Sequence, residues 1–272
     1  PPPPPPPPPL FFSTHTPQYQ MLRSLVGSEM CIRDRVTGGG SGFGAGIVKK
    51  FIQEGAKVVV ADINLENAEK VVMASGGLAV EVDVSNSLSF KNMVDKTLEK
   101  FGKIEIMVNN AGITHLPNSM EDISESEFDK IFAVNSKSVF FSAKYLVPKM
   151  TSIGGGNILN VASTAGISPR PNLSWYNATK GWMISATKAM AIELASKRIR
   201  VNALAPVAGE TPLLKSFMGG DTPEKREKFL ATIPIGRFST PEDMGNAACF
   251  LCSEEASMIT GVVLQVDGGR CI

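Results

Sequence analysis

Histidine is nearly missing from this chain: His15 and His115 are the only two in 272 residues. That leaves little material for imidazole triads or multi-histidine metal sites, and no metal is expected. Cysteine is sparse as well. Four residues cannot staple a chain this long. Cys249 and Cys252 form a C-x-x-C, yet Ala247, Ala248, Phe250 and Leu251 around them are apolar. With no second ligand pair at zinc spacing, buried helix cysteines are expected. No apolar run reaches the roughly 18 residues of a spanning helix, and the start shows no secretory leader. A cytoplasmic protein without a membrane partner is expected. Neither sign of charge dominates, with 27 Lys+Arg against 26 Asp+Glu, so nothing favours nucleic acid as a partner.

Residues 1–35 differ in kind from the rest. Nine prolines are followed by a stretch without a period, and Leu22–Arg35, LRSLVGSEMCIRDR, resembles the translated remnant of a sequencing-library adapter. The segment is expected to be non-native or disordered, with the domain spanning 36–272. A physical argument agrees. The glycine-rich stretch from Gly38 should follow a central parallel strand, and such strands are apolar throughout. Arg33, Asp34 and Arg35 stand there instead. Burying unpaired charges costs several kcal/mol, on the order of a small domain's whole stability.

From Val36 onward short apolar runs alternate with longer amphipathic stretches. Strands are expected at Lys57–Ala61, Leu78–Val82, Ile104–Val108, Asn157–Val161, Arg200–Ala203 and Val262–Val266. Helices are expected at Gly44–Glu54, Leu65–Ala74, Ser87–Phe101, Ser124–Met150, Ser174–Ser196 and Pro241–Cys252. This alternation predicts one α/β domain, a Rossmann-like doubly wound parallel sheet with helices on both faces.

Thr37-Gly38-Gly39-Gly40-Ser41-Gly42-Phe43-Gly44 would follow the first strand and open a helix. Glycines there permit a tight turn and close backbone approach, with a helix N-terminus facing a pyrophosphate. The same letters could spell a flexible linker. Against that, an acidic residue, Asp62, closes the next strand about 20 residues on. A carboxylate there accepts hydrogen bonds from a ribose and repels a 2′-phosphate, and no cation stands beside it. NAD is therefore expected over NADP.

Tyr176-Asn177-Ala178-Thr179-Lys180 places a phenol and an ammonium on one helix face. Alone, such a pair is often just a packing contact. Beside a nicotinamide it acquires chemistry. Moving a phenol from about 10 to neutral takes about 4 kcal/mol, and one ammonium about 4–5 Å away contributes roughly 3–4 kcal/mol. Thr37-Gly-x-x-x-Gly-x-Gly44, Asn109-Asn110-Ala111-Gly112, Asn135, Ser163 and Tyr176-x-x-x-Lys180 together resemble, in order and spacing, the short-chain dehydrogenase/reductase family. The likeness runs from about Val36 to the C-terminus, including Val266-Asp267-Gly268-Gly269, and is similar to 3-oxoacyl-carrier-protein reductases and secondary alcohol dehydrogenases.

That resemblance implies roles. Tyr176 would be the general acid/base, and Lys180 would lower its pKa and hold the nicotinamide ribose. Ser163 would bind the substrate oxygen, and Asn135 would support a water relay to Lys180. The cofactor would be held by Thr37, Gly38, Ser41, Gly42, Phe43, Gly44, Asp62, Asp83, Val84, Asn110, Ala111, Gly112, Pro206 and Thr211, besides Tyr176 and Lys180. Homo-oligomerisation, as tetramer or dimer, is implied too. One departure stands out: Val207 follows Pro206 where the family has glycine, leaving the backbone beside the carboxamide undetermined. The implied reaction is hydride transfer between NAD(H) and a small-molecule secondary alcohol or ketone. Substrate choice would lie in 114–117, 164–175 and a helical lid over 211–237, where Arg170 is the one conspicuous charge. The alternative is a catalytically silent nucleotide-binding or redox-sensing protein of the same fold.

Overall fold

The Val-rich run after Gly55 folds as its pattern demands: β2 (Lys57–Asp62) buries Val58–Ala61 on both faces, as a strand inside a parallel sheet must. In a computed structural model, which describes residues 33–73 and 77–272, it is one of seven parallel strands. The others are β1 (Arg33–Thr37), β3 (Leu78–Glu81), β4 (Ile106–Asn109), β5 (Gly156–Val161), β6 (Ile199–Pro206) and β7 (Val263–Val266). Their order is β3-β2-β1-β4-β5-β6-β7, so the direction of winding switches between β1 and β4. Ligands of doubly wound sheets bind at such a switch, beyond the carboxyl ends of the strands.

Helices α1 (Gly42–Gln53) and α9 (Pro241–Cys252) pack on one face. Helices α3 (Ser87–Phe101), α5 (Ser138–Ser152) and α6 (Ser174–Leu194) cover the other. The remaining helices are α2 (Leu65–Val72), α4 (Glu125–Phe132), α7 (Leu214–Phe217) and α8 (Pro223–Leu230). Cys249 and Cys252 are buried in the α9 core beside Val36 and Ile106. Among the described residues no helix is long and apolar enough to cross a membrane.

Several boundaries differ from the sequence pattern. The expected helix over 124–150 is interrupted by a π-helical turn, Ala133–Lys137, which carries Asn135 into the interior. The strand expected from Ile104 starts at Ile106, and β6 runs on to Pro206 because β7 pairs with it as far as Val266. Ala74, the expected end of α2, lies outside the described residues, as does everything up to residue 32.

Arg33–Arg35, expected to stand outside the domain, supply its central strand, with Asp34 and Arg35 paired to β2 and β4. Both side chains are buried. Alternation along a strand sends them to opposite faces, so they cannot neutralise each other. Asp34 lies in register with Val58 and Ile106, Arg35 with Val59 and Met107. No guanidinium nitrogen of Arg35 has a hydrogen-bond partner, nor does one oxygen of Asp34. Burial holds Arg35 down at about 9 and raises Asp34 well above the carboxylate range, with Glu105 adding to the latter.

Candidate active site

At the carboxyl ends of β1, β2, β4, β5 and β6 lies a cavity of about 560 Å³. All the residues expected to form the site line it except Thr37, Gly44 and Asn135. Those three stand behind it and hold its walls. Thr37 Oγ1 accepts hydrogen bonds from the backbone N–H groups of Asn110 and Ala111 and donates to the Val108 carbonyl. Asn110 Nδ2 donates back to the carbonyls of Thr37 and Gly38. The loops after β1 and β4 are thus locked to one another. Gly38 has φ +62, which suits glycine, and a Cβ on Gly44 would run into the Gly38 carbonyl.

Ser41 N-caps α1 in extended backbone with its hydroxyl not used as a cap, and Gly42 opens the helix beside Thr211. Ser41, Gly42 and Phe43, at the N-terminus of α1, line the cavity. Asp62 is pinned there: Oδ2 accepts from the Gly40 N–H at 2.9 Å and Oδ1 from the Asn64 N–H at 3.0 Å. A carboxylate has about four lone-pair sites, so accepting capacity remains toward the cavity. Asp83 is similarly fixed, its Oδ1 accepting from the N–H and hydroxyl of Ser85.

Ser163, Tyr176 and Lys180 share the far wall. Ser163 follows β5 and its Oγ accepts the Ala165 N–H at 3.1 Å. Lys180, one turn along α6, donates from Nζ to the Val161 carbonyl at 2.8 Å. A Cβ added to Gly112 would lie 3.4 Å from both Lys180 Nζ and Asn135 Oδ1, which places these two groups around the same small space. Asn135 itself bonds elsewhere. Its amide exchanges hydrogen bonds with the Ile113 backbone and donates to Thr179 Oγ1.

Desolvation dominates the electrostatics of the Tyr176–Lys180 pair. Burial pushes the Tyr176 phenol up to about 12, against a smaller lowering by Ser163, and pushes the Lys180 ammonium down to about 8. Desolvation disfavours both charged forms. The Lys180 ammonium lies 5.9 Å from the centre of the Tyr176 ring, and desolvation is the largest influence on the phenol. Val207 causes no distortion: among the described non-glycine residues only Asn172 and Arg198 have positive φ. Its N–H pairs with the Val266 carbonyl, and its side chain joins Leu214, Met218, Ile233 and Phe238.

Sequence reasoning missed several cavity residues: Ile63, Ile113, Lys130, Val134, Leu214 and Phe217. Lys130 and Val134 are spaced i, i+4, and that spacing next to Asn135 was a usable signal. Leu214 and Phe217 lie in the segment expected to be a lid, but no pattern singles them out.

Residues 38–270 match a family model described as enoyl-(acyl carrier protein) reductase. The chain belongs to the short-chain dehydrogenase/reductase family. It is 46% identical over 243 residues to the 4-formylbenzenesulfonate dehydrogenase of Comamonas testosteroni, covering 87% of this chain and 96% of that one. To the 3-oxoacyl-[acyl-carrier-protein] reductase of Thermotoga maritima it is 40% identical, with the same coverage. The crystal structure of the 3-ketoacyl-(acyl-carrier-protein) reductase of Brucella melitensis, complexed with NADH, superposes with a TM-score of 0.85 at 50% identity. That match covers 89% of this chain and 98% of the other. As a member of this family the protein is an oxidoreductase.

Proposed function

We propose that this short-chain dehydrogenase/reductase transfers hydride reversibly between NAD(H) and a secondary alcohol or ketone, with Tyr176 exchanging the hydroxyl proton. What carries this reading is that Ser163, Tyr176 and Lys180 share one cavity with the glycine loop and Asp62. Nucleotide binding alone requires no such phenol, hydroxyl and ammonium.

The chain's own residues suit the cofactor. The α1 N-terminus faces where a pyrophosphate would rest, Asp62 offers oxygens to an adenosine ribose, and Asp83 and Val84 wall the adenine end. When bound, a nicotinamide supplies the hydride-exchanging carbon and, oxidised, a positive charge. Ser163 then positions the substrate oxygen against the Tyr176 hydroxyl. Lys180 holds the ribose and, with its proton, favours the phenolate. Asn135 keeps the 113 backbone and α6 in place behind them. NAD is preferred to NADP because the carboxylate of Asp62 repels a 2′-phosphate.

The relatives named above act on a sulfonated aromatic aldehyde and on carrier-bound oxoacyl groups, so the family likeness leaves the substrate open. A homo-oligomer fits the exposed aromatic surface of Phe128, Phe132, Phe140 and Trp182 on α4, α5 and α6. Fluorescence titration with NADH and NADPH in parallel tests the reading. Tighter NADH binding supports it, and binding of neither removes it.

A further inference from the structure

We propose that Arg170 and Arg270 form a subsite for an anionic oxygen group of the substrate, joined to Tyr176 by an aromatic wall of Phe217 and Phe229. The inference deepens the oxidoreductase reading and rests on it. Arg170 sits in the loop between β5 and α6, and its carbonyl accepts a 2.7 Å hydrogen bond from Asn177 Nδ2, the residue after Tyr176. Its backbone is therefore tied to the helix that carries the catalytic pair. From Tyr176 the rings run outward without a gap. The Tyr176 and Phe217 centroids are 5.6 Å apart, Phe217 and Phe229 are 5.9 Å apart, and the Arg170 guanidinium lies 4.3 Å over Phe229.

The C-terminal turn that carries Arg270 packs beside the segment that Arg170 contacts. Gly268 and Gly269 pack against Ile233, Pro234 and Ile235, and the Ile235 N–H bonds to the Gly268 carbonyl. Thr232, next in line, accepts the one side-chain hydrogen bond that Arg170 donates, at 3.3 Å. Arg270's charge is felt at Arg170, which burial and then Arg270 together lower to about 10.

Three other arginines have partners of their own. Arg226 is paired with Glu210 and Asp221, and Arg237 with Asp243. Arg200 donates to the carbonyls of Leu251, Ser253 and Ile259. Among the described residues no carboxylate pairs with Arg170 or Arg270, and Arg270 Nε is buried with no hydrogen-bond partner. Asp267, the acidic residue closest in sequence to Arg270, gives its oxygens to the N–H groups of Gly269 and Cys271. Two guanidiniums offer up to ten N–H donors, and their planar forks match a carboxylate, sulfonate or phosphate. A flat apolar body between such a group and the reacting carbon would lie along Phe229 and Phe217.

Isothermal titration of the full chain with sodium benzenesulfonate, and separately with sodium sulfate, with and without NADH, tests the subsite. Benzenesulfonate is expected to bind at least about tenfold tighter than sulfate. Arg170→Gln and Arg270→Gln should each weaken it about tenfold, ~1.4 kcal/mol, with NADH affinity unchanged as the check on folding. Equal binding to wild type and both variants, or none to wild type, overturns the proposal. So does sulfate binding as tightly, which would mark an inorganic-anion site. Failure of NADH to bind the wild type would instead strike the oxidoreductase reading, since the sulfonate titration without NADH reads the arginine pair by itself.

Discussion

The Lys180 ammonium stands 5.9 Å from the centre of the Tyr176 ring and donates a hydrogen bond to the Val161 carbonyl at 2.8 Å. Helical spacing brings the two side chains together, but burial acts on them in opposite directions, raising the phenol and lowering the ammonium. Without added positive charge the site favours a neutral tyrosine.

Lys180 makes stability depend on pH. Folding drives it from 10.5 to about 8, so across that window the unfolded chain binds the extra proton. Stability should rise as pH goes from about 8 toward 10.5 and be lost on the way down, by roughly 3 kcal/mol over the full window. Urea unfolding of wild type and Lys180→Met between pH 7 and 10 checks it. Wild type should gain on the variant as pH rises, and parallel curves would sink the claim.

Tyr176→Phe removes the hydroxyl and keeps the ring packed on Phe217. Turnover of any accepted alcohol should fall by about 10²–10⁴-fold, the usual contribution of a positioned acid/base. NADH binding should stay as it was. Retained turnover would place the proton transfer on another group.

Asp62→Ala deletes the acceptor that holds the Gly40 and Asn64 N–H groups. NADH affinity should drop about tenfold, ~1.4 kcal/mol, while NADPH affinity holds or improves. Parallel fluorescence titrations read both. A wild type already binding NADPH as tightly as NADH would remove Asp62 as selector.

Arg35→Leu should stabilise the fold. It replaces a buried cation that has no partner with an apolar side chain in register with Val59 and Met107, which removes the cost of burying an unpaired charge. The midpoint of urea denaturation should move upward. A downward move would mean that the guanidinium is neutralised by a group the described residues do not show.

The aromatic surface of α4 to α6 predicts association. Sedimentation at micromolar concentration should give a species heavier than the 29.0 kDa chain. A purely monomeric boundary would assign that surface another role.

Much of the molecule was legible before folding, because strands, helix ends and the Tyr176-x-x-x-Lys180 pair are set by contacts a few residues apart. Val58–Ala61 read as a buried strand, and Gly102, in left-handed backbone, ends α3 where the pattern stops. Asp62 was found because its distance from the glycine loop is a property of the chain. Tertiary structure decided the rest. The π-turn at Asn135 exists where that amide meets the Ile113 backbone, 22 residues away. Val207 is accommodated because its N–H pairs with Val266 and its side chain packs on Leu214, Met218, Ile233 and Phe238. The placement of Lys130, Phe217 and the Arg170–Phe229 stack depends on segments far apart in sequence. Periodicity records which face of an element is buried; only packing decides what that face meets.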